Sequence, residues 1–533
     1  LRTPPPPGTP LFEPDHFLLE RISADWPGRF YLGYAFGTRV GVPFGLRHFG
    51  PHSEGGWGEA QFTGIFGGTG SGKSVFAASM AVGFARHRPM SVLLVDPKGE
   101  FYDDKLGAAS HLSFSLHALV RAAGKRLRLV RICDVALSSA ITFARLLLSS
   151  TPFPTVAGLG KDEAVVELER VLVEELSRGR RTGGRELPAV EAFRDRPFTP
   201  EVVEREIVPI LERVIRSTYV QRTSAEEKVA RLRQLEVQEE LARSLEAIRK
   251  GYFATWLEDG RRRKTLQEVL AELLEERSFL ILDMSKVLPP GAEGWSDGLE
   301  DLHQLDRRRL AERNSPLILR DVLLSLQFQA ESLYRRSRGK LLNCLVVIDE
   351  AHQYAPREVF GDTEEERRHL RDLRATIRDT VRMARKMGLG MAFISQTTTS
   401  IDGELFKNLH NRVYGFGMLH GADAQVIREH EGDEAFEAYS SMPNPKQTGR
   451  YGYLVSGPIV ALGSATGSAV LIEGFGGDEE LASHNGLDLE EGRRRLKEDE
   501  AELAERFLEA PVPGISLEAP PRGSDWLEDE MPI

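Results

Sequence analysis

Residues 67–74 read Gly67-Gly68-Thr69-Gly70-Ser71-Gly72-Lys73-Ser74. Gly67, Gly72, Lys73 and Ser74 fill the fixed positions of the phosphate-loop pattern G-x-x-x-x-G-K-[ST]. The run before it, Ala60 to Phe66, suits a buried strand, and Val75 to Arg86 after it suits a helix rich in Ala and Met. Strand, glycine loop and helix start together form a cradle. Backbone N–H groups and the helix dipole there face a polyphosphate. Gly67, Gly68, Thr69, Gly70, Ser71, Gly72 and Val75 line that cradle, Lys73 reaches the β- and γ-phosphates, and Ser74 holds Mg²⁺.

Outward from the loop the pattern alternates. Ser91 to Asp96, Phe279 to Asp283, Leu345 to Asp349 and Gly390 to Ser395 are short apolar runs of strand character, and Arg367 to Lys386 reads as a long basic helix. Alternating strands and helices predict a mostly parallel sheet covered on both faces. Residues 161–277 break the alternation. Apolar residues at helical spacing (Val165, Leu168, Val171, Leu172; Leu232, Leu235, Leu241, Leu245, Ile248) sit there in charged stretches, with a Gly/Arg/Pro-rich loop at 178–197. The expected organisation has five parts: an N-terminal arm with a partial β-barrel-like unit at 1–56, a first core segment at 57–160, and an inserted helical subdomain at 161–277. A second core segment at 278–476 ends in a hairpin (449–475), and an acidic flexible tail fills 477–533. One amphipathic helix is expected in that tail, near 488–508, stopped by Pro511-Val512-Pro513-Gly514.

A second motif ends a buried run, Val347-Ile348-Asp349-Glu350. An Asp at the carboxyl end of a strand beside the phosphate loop can hold the Mg²⁺ shell, and the next Glu can orient and polarise an attacking water. Asp349-Glu350-Ala351-His352 also spells a helicase box, and Ser464-Ala465-Thr466 is similar to another helicase motif. Both are set aside, because the second lies in the terminal hairpin and no arginine-rich final motif accompanies it. The helical insertion accounts for the long spacing from Lys73 to Asp349.

Together these pieces resemble the HerA branch of the HerA–FtsK ATPases. The resemblance rests on the phosphate loop, Val95-Asp96-Pro97-Lys98-Gly99-Glu100-Phe101, Ile348 to His352 with Ala355-Pro356, Ala384-Arg385-Lys386-Met387-Gly388-Leu389-Gly390, and Ile394-Ser395-Gln396; it spans roughly 40–475. It implies an α/β fold, with a RecA-like P-loop ATPase core, an inserted helical subdomain and a small N-terminal β-unit. It implies an ATP-driven DNA translocase, a homo-hexamer passing double-stranded DNA through its pore, with ATP and Mg²⁺ as ligands. Family members carry an N-terminal β-barrel, and bacterial and archaeal forms work with the nuclease NurA in processing DNA ends. The match carries over Lys73 and Ser74 as phosphate and Mg²⁺ ligands, Asp349 as the Mg²⁺-shell acid, Glu350 as the catalytic acid and Gln396 as the γ-phosphate sensor. Arg385, with Arg382 one turn earlier as the substitute, matches the arginine supplied to a neighbouring subunit. Only residues 1–59 precede the phosphate-loop strand, so the barrel is expected to be incomplete.

Charge frames the partners. The net charge is −11, but residues 478–533 hold 17 Asp/Glu against 6 Lys/Arg, which places the whole excess in the tail. A balanced body can present a basic stripe, so acidity overall does not exclude DNA. Candidate phosphate contacts on pore-facing loops are Lys98 and Arg357, whereas Arg261-Arg262-Arg263-Lys264 and Arg335-Arg336-Arg338-Lys340 read as solvated charge. Two cysteines, Cys133 and Cys344, make no disulfide framework and suit an intracellular, cytoplasmic chain. No apolar run approaches 18 residues, so no membrane insertion is expected. Two other readings share the same ATP-site residues: a conjugation or secretion ATPase, and an ATP-gated ring that scaffolds an antiviral effector.

Overall fold

The computed structural model describes residues 21–509 apart from 22, 25, 27, 107–112, 178–179, 183–184, 188–193, 195–196, 258–259, 286–303, 338, 362–363 and 461–468. The Pro-rich arm, most of the 178–197 loop, Ser464-Ala465-Thr466 and the end of the tail therefore lie outside the described residues.

In chain order the main strands are Arg29–Ala35 (β1), Gly41–Gly45 (β2), Phe62–Phe66 (β3), Ser91–Asp96 (β4), Leu127–Arg131 (β5), Phe279–Asp283 (β6), Cys344–Ile348 (β7), Leu389–Ser395 (β8), Asn411–Gly415 (β9), Gly452–Ser456 (β10) and Val470–Gly474 (β11). They form one sheet in the order β2-β1-β11-β10-β9-β3-β8-β7-β4-β6-β5. From β9 across to β5 every neighbouring pair is parallel. From β9 outward through β10, β11, β1 and β2 the pairing is antiparallel.

The central strands are buried along their whole length, as parallel strands covered by helices on both faces must be. Side-chain alternation divides them between two cores. Leu93, Val95, Val346, Ile348, Met391 and Phe393 enter one core. Val92, Leu94, Leu345, Val347, Ala392 and Ile394 enter the other.

On the second face lie Lys73–Ala85 (α1) and Leu116–Ala122 (α2). Helix α1 is apolar on every side and buried from Val75 to Ala85, because the sheet covers one flank and the N-terminal strands the other. Gly83 permits that approach: a Cβ there would sit 2.3 Å from Leu46 Cδ1.

The first face carries the helical layer: Ala140–Ser150 (α3), Asp162–Ser177 (α4), Val208–Thr218 (α5), Leu235–Ile248 (α6), Gln304–Arg336 (α7) and Glu364–Ala384 (α8). Strands β5 and β6 are paired neighbours, Leu127 opposite Phe279, although residues 132–278 lie between them. The helices α3 to α6 thus leave and rejoin the sheet at adjacent strands, and their length does not disturb strand order. Arg145 ties this layer together, its guanidinium 2.8 Å from Glu169 of α4 and 2.7 Å from Asp372 of α8.

Two sequence expectations change here. Among the described residues of the expected barrel-like unit, β1 pairs with β11, Gly33 opposite Gly474, and so extends the main sheet. The backbones meet where Gly33 has no side chain, and a Cβ there would lie 2.3 Å from Glu473 O. The acidic tail is not flexible from its start. The helix expected near 488–508 is present as Leu489–Glu509 (α10), but a helix that was not expected, Asp478–Asn485 (α9), precedes it, and α10 packs along α2. Gly492 allows this contact, since a Cβ would meet Ala118 O at 2.3 Å, and Arg121 pairs with Asp499 at 2.9 Å.

Candidate active site

The carboxyl ends of β3, β8, β7 and β4 lie side by side, and open α/β sheets collect ligands at such ends. Phe66 pairs with Ser395, so Gly67 and Gln396 leave the sheet together. Ile348 pairs with Val95, so Asp349 emerges beside Asp96. The topology therefore brings Lys73, Ser74, Asp349, Glu350 and Gln396 to one edge from segments far apart in sequence.

The loop from Gly67 to Gly72 wraps tightly. Gly72 has φ +84° and stands immediately before α1, a backbone that L side chains rarely adopt. A Cβ at Gly72 would lie 2.4 Å from both Tyr451 and Tyr453. The Tyr453 hydroxyl donates to Gly72 O at 2.8 Å. Lys73 Nζ donates to Gly67 O at 2.7 Å and to Gly68 O at 3.0 Å. Burial pulls the Lys73 ammonium below its ordinary value, opposed by the charges of Glu350 and Asp349.

Asp349 and Glu350 are both buried. Burial, and then the neighbouring Glu350 charge, push the Asp349 carboxyl up to about 7. Glu350 holds the left-handed conformation, φ +48° and ψ +44°, which costs a residue with a side chain about 1–3 kcal/mol. Its Oε1 pairs with Lys98 Nζ. Its Oε2 lies 3.3 Å from His352 Nδ1, out of line for a hydrogen bond, and has no partner.

Asp96 shapes the turn that delivers Lys98. Its Oδ1 accepts the N–H groups of Lys98 (3.2 Å) and Gly99 (2.8 Å), and its Oδ2 those of Phe101 (2.9 Å) and Tyr102 (2.8 Å). Burial raises the Asp96 carboxyl, and these backbone donors work the other way.

The residues fit MgATP. Glycine backbone and the start of α1 suit phosphate, and two buried oxygens at this edge, Ser71 Oγ and Glu350 Oε2, lack partners. Among the described residues no three His, Cys, Asp or Glu cluster as a metal cage. Mg²⁺ would instead be held by the Ser74 hydroxyl and Asp349 with the phosphates, as this ion prefers.

The other expected residues fall elsewhere. Lys98 was expected on a pore loop facing DNA; its ammonium instead lies on Glu350, because the Asp96 turn points it there. Arg357 is exposed on the loop after the Ala351–Gln353 turn, where its N–H bonds Ser400 O. Arg385 precedes β8 and pairs with Glu59. Strand β8 is seven residues long, or about 23 Å, so Arg385 cannot reach the phosphate loop of its own chain. Arg382 is exposed, 3.9 Å from Glu404. Sequence reasoning missed Tyr453 and Tyr439. The Tyr439 hydroxyl donates to Gly415 O at 2.8 Å, next to Ser71. Neither tyrosine carries a motif, so no signal in the sequence pointed to them.

Residues 61–293 match the family model for the central domain of the helicase HerA. This stretch is a HerA-type ATPase domain. The chain is an ATP-hydrolysing enzyme with ATP as its nucleotide. The match ends before β7, so Asp349 and Glu350 join the HerA-type domain through the sheet, by the pairing of β7 with β4 and β8.

No curated protein matches the chain. Among solved structures, VirB4 of Thermoanaerobacter pseudethanolicus is similar at 14% identity, covering 84% of this chain and 96% of its own, with a TM-score of 0.41. The pCW3 conjugation coupling protein TcpA is 11% identical over 86% of this chain and 68% of its own, with a TM-score of 0.33. The genome packaging NTPase B204 from Sulfolobus turreted icosahedral virus 2 is 12% identical over 39% of this chain and 71% of its own, with a TM-score of 0.22. All three are distant likenesses. No helix among the described residues is long and apolar enough to cross a membrane.

Proposed function

We propose that this HerA-type ATPase assembles as a homo-hexamer and drives double-stranded DNA through its central pore, working with a NurA-type nuclease at DNA ends. In this reading Lys73 binds the β- and γ-phosphates, Ser74 and Asp349 hold Mg²⁺, Glu350 orients the attacking water, and Gln396 reads the γ-phosphate. The observation that carries the reading is the buried Asp349-Glu350 pair at the end of β7, beside the phosphate loop of a HerA-type domain. The position of Arg385, remote from its own phosphate loop and only half-exposed beside Glu59, supports its use in a neighbour's site. The domain boundaries expected from sequence follow the same reading: 57–160 and 278–476 build the motor, and 161–277 is an accessory layer.

The test has three measurements: the mass of the purified chain by sedimentation, its ATPase rate with and without duplex DNA, and displacement of a triplex-forming strand from that duplex. The expected result is a six-subunit mass, stimulated turnover and ATP-dependent displacement. A monomer, or a ring that hydrolyses ATP without displacing the strand, overturns the motor reading. Co-purification with a NurA-type nuclease expressed alongside it checks the partner, and failure of the two to associate removes that part.

A further inference from the structure

We infer that Ser400 is a positioning residue that ties the exposed loop of Arg357 to Gln396, so that a phosphate backbone held at Arg357 sets the sensor in its working geometry. This rests on the reading above, in which Gln396 reads the γ-phosphate and DNA is the track.

The argument starts where two loops meet. One leaves β7 and reaches the surface at Arg357. The other leaves β8 at Gln396. They meet in a short antiparallel bridge, Pro356 opposite Ile401. Arg357 N–H donates to Ser400 O at 2.9 Å, and Asp402 N–H donates to Ala355 O at 2.9 Å. Helix α8 braces both sides of the bridge. Arg374 donates to Pro356 O at 3.3 Å and to Arg357 O at 3.0 Å, and Arg378 Nε donates to Asp402 Oδ1 at 2.8 Å.

Ser400 carries the contact on to the sensor. Its hydroxyl has one hydrogen to give, which goes to Thr397 O at 2.9 Å. The Ser395 hydroxyl therefore donates to Ser400 Oγ, also at 2.9 Å. Ser400 N–H donates to Thr397 Oγ1 at 3.2 Å. Ser395 and Thr397 are the two neighbours of Gln396 in the chain. One serine thus holds the residues on either side of the sensor, and its carbonyl holds the Arg357 loop. Ser395 is fully buried, so the link has one end fixed in the sheet. The other end lies in solvent, where Arg357 is exposed and Phe360 is 75% exposed. A cation and an aromatic on one loop suit a nucleic-acid strand. A phosphate drawn onto Arg357 pulls on Ser400 through the bridge, and Ser400 reaches Gln396 from both sides; coupling travels through contiguous bonds of this kind.

The experiment measures ATPase, at steady state and in a single turnover, with and without duplex DNA. It compares the parent, Ser400→Ala, Ser400→Thr, Gln396→Ala and the double variant of Ser400→Ala with Gln396→Ala. Fluorescence anisotropy reads duplex affinity. Ser400→Ala should lower the DNA stimulation of kcat by about fivefold, as losing these hydrogen bonds allows, with KM for ATP and duplex affinity changed by less than about twofold. Ser400→Thr keeps the hydroxyl and should restore stimulation. In the Gln396→Ala background Ser400→Ala should cost nothing further, because its effect passes through Gln396. Undiminished stimulation in Ser400→Ala overturns the inference, as does Ser400→Thr behaving like Ser400→Ala, or a fully additive loss in the double variant. A parent that DNA does not stimulate removes the DNA half of the inference together with the motor reading, and the same cycle on basal kcat then decides whether Ser400 positions Gln396.

Discussion

The two ends of the parallel strands are built on opposite electrostatic terms. At the carboxyl end, Lys73, Asp96, Asp349 and Glu350 are drawn out of water, and burial is the main force acting on the protonation of Lys73, Asp96 and Asp349. One backbone there is held in a left-handed conformation. At the amino end, Arg385 and Glu59 pair with each other, half-exposed and beside His410. At the first end the buried Glu350 Oε2 and Ser71 Oγ have no hydrogen-bond partner within the chain, whereas at the second end the charges of Arg385 and Glu59 neutralise each other in one salt bridge. The difference teaches where a ligand is required: a fold keeps desolvated, incompletely paired charge only where something else completes it.

The largest test of this contrast is Glu350→Gln. The amide cannot take a proton from water, so turnover should fall about 10³–10⁴-fold while ATP stays bound. Single-turnover ATPase and nucleotide retention on a filter check it, and an unchanged rate removes Glu350 from the chemistry.

Next is Arg385→Ala, at the opposite end. In the assembled protein an arginine acting across an interface is worth about 10³-fold in kcat, with ATP affinity of the separated subunit unchanged. Rings mixing Arg385→Ala with Glu350→Gln subunits should recover activity at interfaces where both residues are intact. Loss strictly in proportion to the mutant fraction would make Arg385 an ordinary surface residue paired with Glu59.

A third test asks whether burial by itself makes a site. Asp321 lies in the helical layer on α7, far from the phosphate loop in sequence, and burial pushes its carboxyl up to about 6 against bonds from Thr142 and Ser139. Because the folded value is raised above the unfolded one, its stabilising contribution is complete below about pH 4 and is lost as pH rises through about 6. Asp321→Asn should therefore gain stability over the parent between pH 4 and pH 8 by about 2–3 kcal/mol, with ATPase unaffected. Urea unfolding at the two pH values reads the difference, and parallel pH profiles for both proteins would show the shift to be absent.

The smallest effect is expected for Tyr453→Phe, which removes one bond to Gly72 O. About 1 kcal/mol is at stake, or roughly fivefold in ATP affinity. Isothermal titration checks it, and an unchanged affinity would make the tyrosine a packing residue only.

Much of this architecture was legible in residue order. Residues 67–74 declare a phosphate loop because the backbone must wrap an anion, and only glycines and one lysine at fixed spacing allow that. The buried strands around Val92, Val346 and Met391 show as short apolar runs, because a sheet covered on both faces leaves no polar position. Asp349-Glu350 stands out because charge at the end of such a run is costly. These are local consequences of local chemistry, and the chain states them by itself. What needed the tertiary structure was pairing across distance. Strand β1 joins β11 rather than closing a barrel because edge strands pair with whatever edge the fold presents. The helix at 489–509 docks on α2 through Gly492, a contact no periodicity announces. Lys98 reads from sequence as a free cation on a loop, yet it rests on Glu350, 252 residues away. Sequence fixes which groups are charged and which backbones can bend; only the order of strands in the sheet decides which charge meets which, because Coulomb energy depends on separation in space and not along the chain.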